Sequence, residues 1–330
     1  SMAAARYHSW LLFRSPTYTC AMFQTRVSFL AGRALAAAAL VALFAAHPKA
    51  ARAWGNDGHQ MINQLAVEHL PADVPAFLRS AGAEEEIVYL GPEPDRWRSP
   101  AEPELMVVQA PEHFIDLELA GKLAPLPRRR FDFLAKAYAA GQQPDKIGLQ
   151  PWQTEEVWER LKSAMRNYRE LKAAGKDTGP VEQAVIFYAG WLGHYVGDGS
   201  QPLHTTVQYN GWTGPNPEGY TTSHQIHYQF ESAFVSTNIH LSDVQAHMTP
   251  VKAIEGDMFD AYMAYLRQTS TCVEPLYRLE KDGGFEGAGT AASRAFAAER
   301  LAAGASMLRD MIYTAWLRSA EPVPQWHPSK

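Results

Sequence analysis

The segment Glu182 to Asp198 is apolar on nearly all of its sides. A helix of that kind finds no stable place on a surface, so it belongs at the centre of a domain with other elements packed around it. It nonetheless carries His194 and Asp198, four residues apart and therefore on one helix face. Taken alone, a His-x-x-x-Asp pair is most often a surface pair or a satisfied buried hydrogen bond, so its meaning depends on what the rest of the chain brings to it.

The surrounding pattern is helical. Asn56 to Leu70 places Met61, Ile62, Leu65, Ala66 and Leu70 at three- and four-residue steps and stops at Pro71. Glu155 to Ala174 reads as a long polar helix whose buried stripe is Val157, Leu161, Met165 and Leu171. A shorter helix is expected over Ser223 to Val235, and two closing helices over Asp257 to Leu279 and Ala291 to Leu317. The Gly-rich stretch Gly283 to Gly289 between those two lacks the Lys-Ser/Thr ending of a phosphate-cradling loop and reads as a connector. Gln201 to Thr222, rich in Pro and Gly and interleaved with Tyr209, Trp212 and Tyr220, reads as a long loop. The expectation is an all-α fold with a single domain over residues 54–330.

Residues 1–53 have another character. They contain no Asp or Glu and carry Arg6, Arg14, Arg26, Arg33, Lys49 and Arg52. From Met22 onward the order is that of a secretory signal: a basic start, the apolar run Ala34 to Phe44, and Ala51-Arg52-Ala53 with small residues where a signal peptidase reads. The apolar run is short for a membrane span, which needs about 20 residues. Removal after Ala53 would make Trp54 the first residue, and the product would be secreted or periplasmic.

Charge and cysteine content then limit the chemistry. Of 30 Lys and Arg, six fall in the leader, leaving 24 against 35 Asp and Glu, a formal charge of −11. A chain gripping duplex DNA through its phosphates usually shows a basic face. Here bound metal would have to supply much of the positive charge toward any phosphate. Only Cys272 follows the leader, so thiolate metal ligands and an intramolecular disulfide are both excluded from residues 54–330. A metal site must use His and carboxylate.

Such residues recur in order. His204 follows Asp198 by six residues, in Gln201-Pro202-Leu203-His204, and His227 and Glu231 repeat the four-residue spacing of His194 and Asp198. Two helices that each offer an imidazole and a carboxylate on one face can converge on metal. Upstream lie His59 in Trp54-Gly55-Asn56-Asp57-Gly58-His59, Asp95 in Glu93-Pro94-Asp95-Arg96-Trp97, and His113 in His113-Phe114-Ile115-Asp116. Five His and three carboxylates without Cys suit hard-to-borderline divalent metals, zinc first.

This ordered set resembles the zinc-dependent, single-strand-specific nucleases of the S-one/P-one type, which share a fold with bacterial zinc phospholipases C. The resemblance covers Trp54 to about Phe234, and the closing helices match in character only. It implies three Zn2+ ions: one held by Asp95, His113, His194 and Asp198; a second by His204, His227 and Glu231; a third by Trp54, through its own α-amino nitrogen and carbonyl oxygen, with His59 and Asp198. Asp198 would bridge, and Asp95 and Asp198 would be the catalytic carboxylates. It further implies an endonuclease that uses a metal-activated hydroxide to release 5′-phosphate products from single-stranded DNA or RNA. Phe114 would stack on a base and Asp116 would hydrogen-bond its edge, with Tyr209, Trp212 and Tyr220 as further candidate substrate contacts. The short spacing from Trp54 to His59, the His113-to-Asp116 motif and Gln201-Pro202-Leu203-His204 favour the nuclease branch. Glu231, where the nucleases usually carry Asp, and Ser232, where an Asn is expected, depart from it. Two alternatives stand beside this reading: a phospholipase C acting on lipid headgroups, and a non-catalytic zinc-binding protein. No obligate protein partner and no membrane span after signal removal are implied. His69, His224, His240, His247 and His327 are expected not to be ligands.

Overall fold

The computed structural model describes residues 54–323, so the leader and His327 lie outside the described residues. The longer helices are α1 (Gly55–Glu68), α2 (Ala81–Leu90), α3 (Arg130–Ala139), α4 (Gln150–Ala173), α5 (Gly179–Asp198), α6 (Met258–Ser270), α7 (Val273–Lys281) and α8 (Ala291–Arg318). Among the described residues there is no β-strand, only an isolated bridge between Tyr209 and Gly211. The all-α expectation holds.

The apolar segment Glu182 to Asp198 lies in α5, which occupies the position its composition demands. It packs against α4, α2, α8 and α1, burying Val181, Val185, Ile186, Ala189 and Leu192 on successive faces. One glycine makes the closest of these approaches possible. A Cβ on Gly193 would fall 1.9 Å from Asn63 Oδ1 of α1, well inside any tolerable contact. Asn63 is fully buried there, and its Nδ2 donates to the carbonyls of Ile87 in α2 and Gly190 in α5, at 2.7 and 3.1 Å. Three helices are thereby stitched together one turn from His59.

Elsewhere the boundaries differ from expectation. α4 begins at Gln150, five residues before the expected start, with Pro151 in its first turn where the missing N–H is no loss. The expected helix over Asp257 to Leu279 is two, α6 and α7, parted at Thr271 and Cys272. The expected helix over Ser223 to Val235 begins only at Ile226, and over Gln229–Phe234 it is a π-helix. No helix among the described residues is long and apolar enough to cross a membrane.

Candidate metal centre

The residues that converge come from six separate pieces of chain. α1 presents His59 and α5 presents His194 and Asp198. Asp95 sits in the short helix Glu93–Arg96, His113 ends the 3-10 turn Ala110–His113, and His204 ends the 3-10 turn Pro202–His204. His227 lies in the turn Ile226–Tyr228, and Glu231 in the π-helical segment that follows it. Two of these pieces run together: Ile115 N–H donates to His204 C=O at 2.9 Å and Leu117 N–H to Thr205 C=O at 3.2 Å. All eight side chains are buried.

Around His194 the donor atoms lie at ligand-to-ligand distances. His194 Nε2 is 2.9 Å from His113 Nδ1 and 3.3 Å from Asp198 Oδ2; His113 Nδ1 is 3.1 Å from the same oxygen and 3.9 Å from Asp95 Oδ1. Donors bonded to one zinc at about 2.0–2.1 Å in a tetrahedron stand roughly 3.3 Å apart. The other carboxylate oxygen, Asp198 Oδ1, faces away from this set toward His59 Nε2 at 3.4 Å and His204 Nδ1 at 3.8 Å. Asp198 therefore turns one oxygen to each of two neighbourhoods. His59 stacks on His194 with ring centroids 4.1 Å apart and also groups with Asp95 and His194 within ligand reach.

The second group is smaller. His204 Nε2 and His227 Nε2 stand 3.1 Å apart, and Glu231 Oε2 lies 2.9 Å from His227 Nε2 and 3.5 Å from His204 Nε2. Each imidazole is oriented by its other nitrogen. His204 Nδ1 donates to His113 C=O at 2.7 Å and His227 Nδ1 to Tyr209 C=O at 2.9 Å, just as His194 Nδ1 donates to Gly91 C=O at 2.8 Å. With Nδ1 protonated in each, the Nε2 atoms present lone pairs to one another and to a carboxylate. Three lone-pair atoms thus face one another at distances that suit a shared divalent cation, and Glu231 Oε2 also accepts from Gln201 Nε2 at 3.0 Å.

The electrostatics agree. Burial pushes the Asp95 carboxyl up and holds the Asp198 carboxyl well above the usual range, and it keeps the His113 and His194 imidazoles well below theirs. Glu231 is also buried, but with no cation bound the facing His227 and His204, when protonated, outweigh that and bring it down to about 2, so the carboxylate stays ionised beside a positive neighbour. Asp95 Oδ2, His113 Nε2, Asp198 Oδ1 and Glu231 Oε1 have no hydrogen-bond partner among the described residues. Buried carboxylates without such partners are costly in a protein alone, and a bound divalent cation inverts that balance. The residues fit metal. The S1/P1 Nuclease family model matches residues 54–299, well over half of the chain.

The chain belongs to the S1/P1 nuclease family. It is accordingly a phosphodiester hydrolase of a zinc-dependent family, with side-chain groups able to hold metal. No curated protein matches it.

Trp54, where the family match begins, is fully buried and has φ 34°, in the left-handed region that bulky residues rarely adopt. Its indole holds it there. Nε1 donates to Gly197 C=O at 2.7 Å and to Ser200 Oγ at 3.0 Å, on either side of Asp198. Its carbonyl accepts the N–H of Gly58 at 3.1 Å.

On the substrate side of this S1/P1 nuclease the expected residues separate. Phe114 is half-buried and takes no part in the apolar core, unlike Ile115 beside it. Asp116 is buried with its carboxyl raised to about 7, by burial and then by Glu118. It orients none of the three imidazoles whose Nδ1 bonds to main-chain carbonyls. Tyr209 is exposed, with its ring edge-on to His227. Trp212 packs on Tyr220 and Tyr277 and donates to Pro215 C=O, so its first role is to hold the loop. It also lines a cavity of about 670 Å³ with Leu117, Glu118, Thr205 and Thr206, next along the chain from Asp116 and His204.

The other described histidines stay apart. His224 is exposed and donates to Asn210 C=O, His69 bonds Leu65 C=O, and His240 and His247 are exposed. Sequence reasoning passed over Arg98. Its guanidinium lies 3.3 Å from Asp95 Oδ1 and shifts the titration of Asp95, His113, His194 and Asp198. Its spacing of three from Asp95 along a helical turn was the available signal.

Proposed function

We propose that this member of the S1/P1 nuclease family is a secreted or periplasmic endonuclease that hydrolyses single-stranded DNA and RNA to 5′-phosphate products. In this reading residues 1–53 are removed and Trp54 becomes the N-terminus. Asp95, His113, His194 and Asp198 hold one zinc, and His204, His227 and Glu231 a second. His59, Asp198 and the Trp54 α-amino and carbonyl groups hold a third. The observation that carries the reading is the convergence of His204 Nε2, His227 Nε2 and Glu231 Oε2, three acceptors within 2.9 to 3.5 Å of one another.

The chain's own groups divide the work. Zinc bound in such a setting supplies a nucleophile from water at neutral pH and draws charge from the phosphoryl oxygens. The Nδ1–H bonds to main-chain carbonyls keep His194, His204 and His227 in the tautomer that can ligate. Arg98 adds a fixed positive charge at the edge of the cluster, where a phosphodiester anion needs it. Phe114 would offer a ring face to a splayed base, which a duplex does not present, and the Asp116 carboxyl would hydrogen-bond that base's polar edge.

One comparison tests the reading: purified protein on single-stranded DNA and on phosphatidylcholine, each with and without chelator. Single-stranded DNA should be cut to 5′-phosphate ends, chelator should abolish the cutting, and the lipid should stay intact. Hydrolysis of phosphatidylcholine with intact DNA would establish the phospholipase C alternative, toward which Glu231 is the residue that leans.

A further inference from the structure

Gln201 is fully buried between the end of α5 and the turn that carries His204. Its side-chain amide is engaged at both ends. Oε1 accepts the main-chain N–H of Leu203 at 2.6 Å and so caps the Pro202–His204 turn. That bond fixes which end of the amide is oxygen. The opposite end is therefore the NH2 group, and it donates to Glu231 Oε2 at 3.0 Å.

That oxygen is the one facing His227 Nε2 and His204 Nε2. Glu231 Oε1 has no hydrogen-bond partner among the described residues. Glu231 also sits in the π-helical segment Gln229–Phe234, a widened turn of the kind that gathers at functional sites. A Glu side chain has three rotatable bonds and, on such a turn, several ways to point. The bond from Gln201 selects one of them, and the same residue shapes the turn that delivers His204. One buried amide thus couples two members of the group.

We propose that Gln201 is a positioning residue that sets the metal affinity of the His204–His227–Glu231 group by holding Glu231 Oε2 toward both imidazoles. The proposal rests on the reading that this group holds zinc.

Two substitutions separate the two ends of the amide. Gln201→Glu keeps an acceptor for Leu203 N–H and removes the donor to Glu231. Gln201→Met, of similar size, removes both. The readout is zinc retained per full-length chain against graded chelator, with circular dichroism to confirm folding. Both variants should release one zinc at chelator concentrations about 10- to 100-fold lower than wild type, the scale on which outer-shell partners act. The remaining zinc should be held as in wild type. In a Glu231→Gln background, Gln201→Met should add no further loss, because Gln201 acts through Glu231.

Weakened retention in Gln201→Met beside unchanged or stronger retention in Gln201→Glu would assign Gln201 to the turn cap alone and overturn the proposal. Unchanged retention in both would overturn it as well. If Gln201→Glu does not fold, the Gln201→Met and Glu231→Gln pair decides: additive losses refute the proposal and non-additive losses uphold it. Failure of the underlying reading has its own signature, since Glu231→Gln would then retain zinc as fully as wild type.

Discussion

Asp198 turns its two carboxylate oxygens to different neighbours, one to His113 and His194 and the other to His59 and His204. Asp198→Asn keeps the shape and removes the charge from both neighbourhoods at once. Turnover is expected to fall by at least about 100-fold, since loss of an outer-shell partner alone costs 10- to 100-fold. Bound zinc should fall with it; metal analysis beside rate measurement checks the pair, and full zinc with full activity would refute the bridging role. At this scale the sequence was highly legible. His194 with Asp198 and His227 with Glu231 lie at helical spacing, and that spacing alone places each pair on one face. What stayed hidden is what holds those side chains in place. The carbonyls of Gly91, His113 and Tyr209 that fix three imidazoles belong to the main chain, and no residue type advertises a carbonyl. Gln201 was hidden for a related reason, since its role depends on Glu231, distant in sequence, and on a turn's exact path, whereas Arg98 stood three residues from Asp95 and was legible.

Among the elements, α1, α5 and α8 follow their apolar spacing closely, because their buried stripes are long and their ends carry clear stop signals. The π-helix over Gln229–Phe234 and the break between α6 and α7 have no such signature; packing against neighbours decides them. α4 carries an element-scale consequence of its own. Glu155, in its second turn, is held at about 7 by burial and then by the charges of Asp257 and Glu159, against an unfolded value of 4.5. The folded state therefore binds the proton more tightly. That stabilisation is complete below pH 4.5 and is lost as pH rises through 7. Glu155→Gln, which stays neutral, should leave the melting temperature unchanged at pH 4. At pH 8 it should raise it by on the order of 2 °C. Thermal melts of both proteins across that range test the sign, and an equal shift at both ends would contradict it.

Considered as a whole molecule, residues 54–330 are strongly acidic, yet the family they belong to acts on polyanions. Metal is the economical resolution, and it makes the N-terminus consequential. A free α-amino group, with a pKa near 7.7–8.0, can give up its proton and ligate. A peptide nitrogen, its lone pair drawn into resonance, is a poor ligand. A form carrying one extra Met before Trp54 is therefore expected to hold one zinc fewer and to cut single-stranded DNA at least about 10-fold more slowly than protein beginning at Trp54. Equal zinc and equal rate would show that the amino group is not a ligand. The anchor to Gly197 and Ser200 is made by the indole and not by the main-chain nitrogen, so both forms should fold alike.

Because three imidazoles are aimed by main-chain carbonyls, their aim is a property of the folded backbone as a single object. The side chain at position 209 can therefore change without removing the carbonyl that aims His227. The three carbonyls sit at the end of α2 (Gly91), in the turn Ala110–His113 and in the loop after His204 (Tyr209), so the aim of the three rings depends on turns and a loop as well as on docked helices. Metal held by His204 and His227 should accordingly leave in rising denaturant at or before the midpoint of the helical signal, never after it.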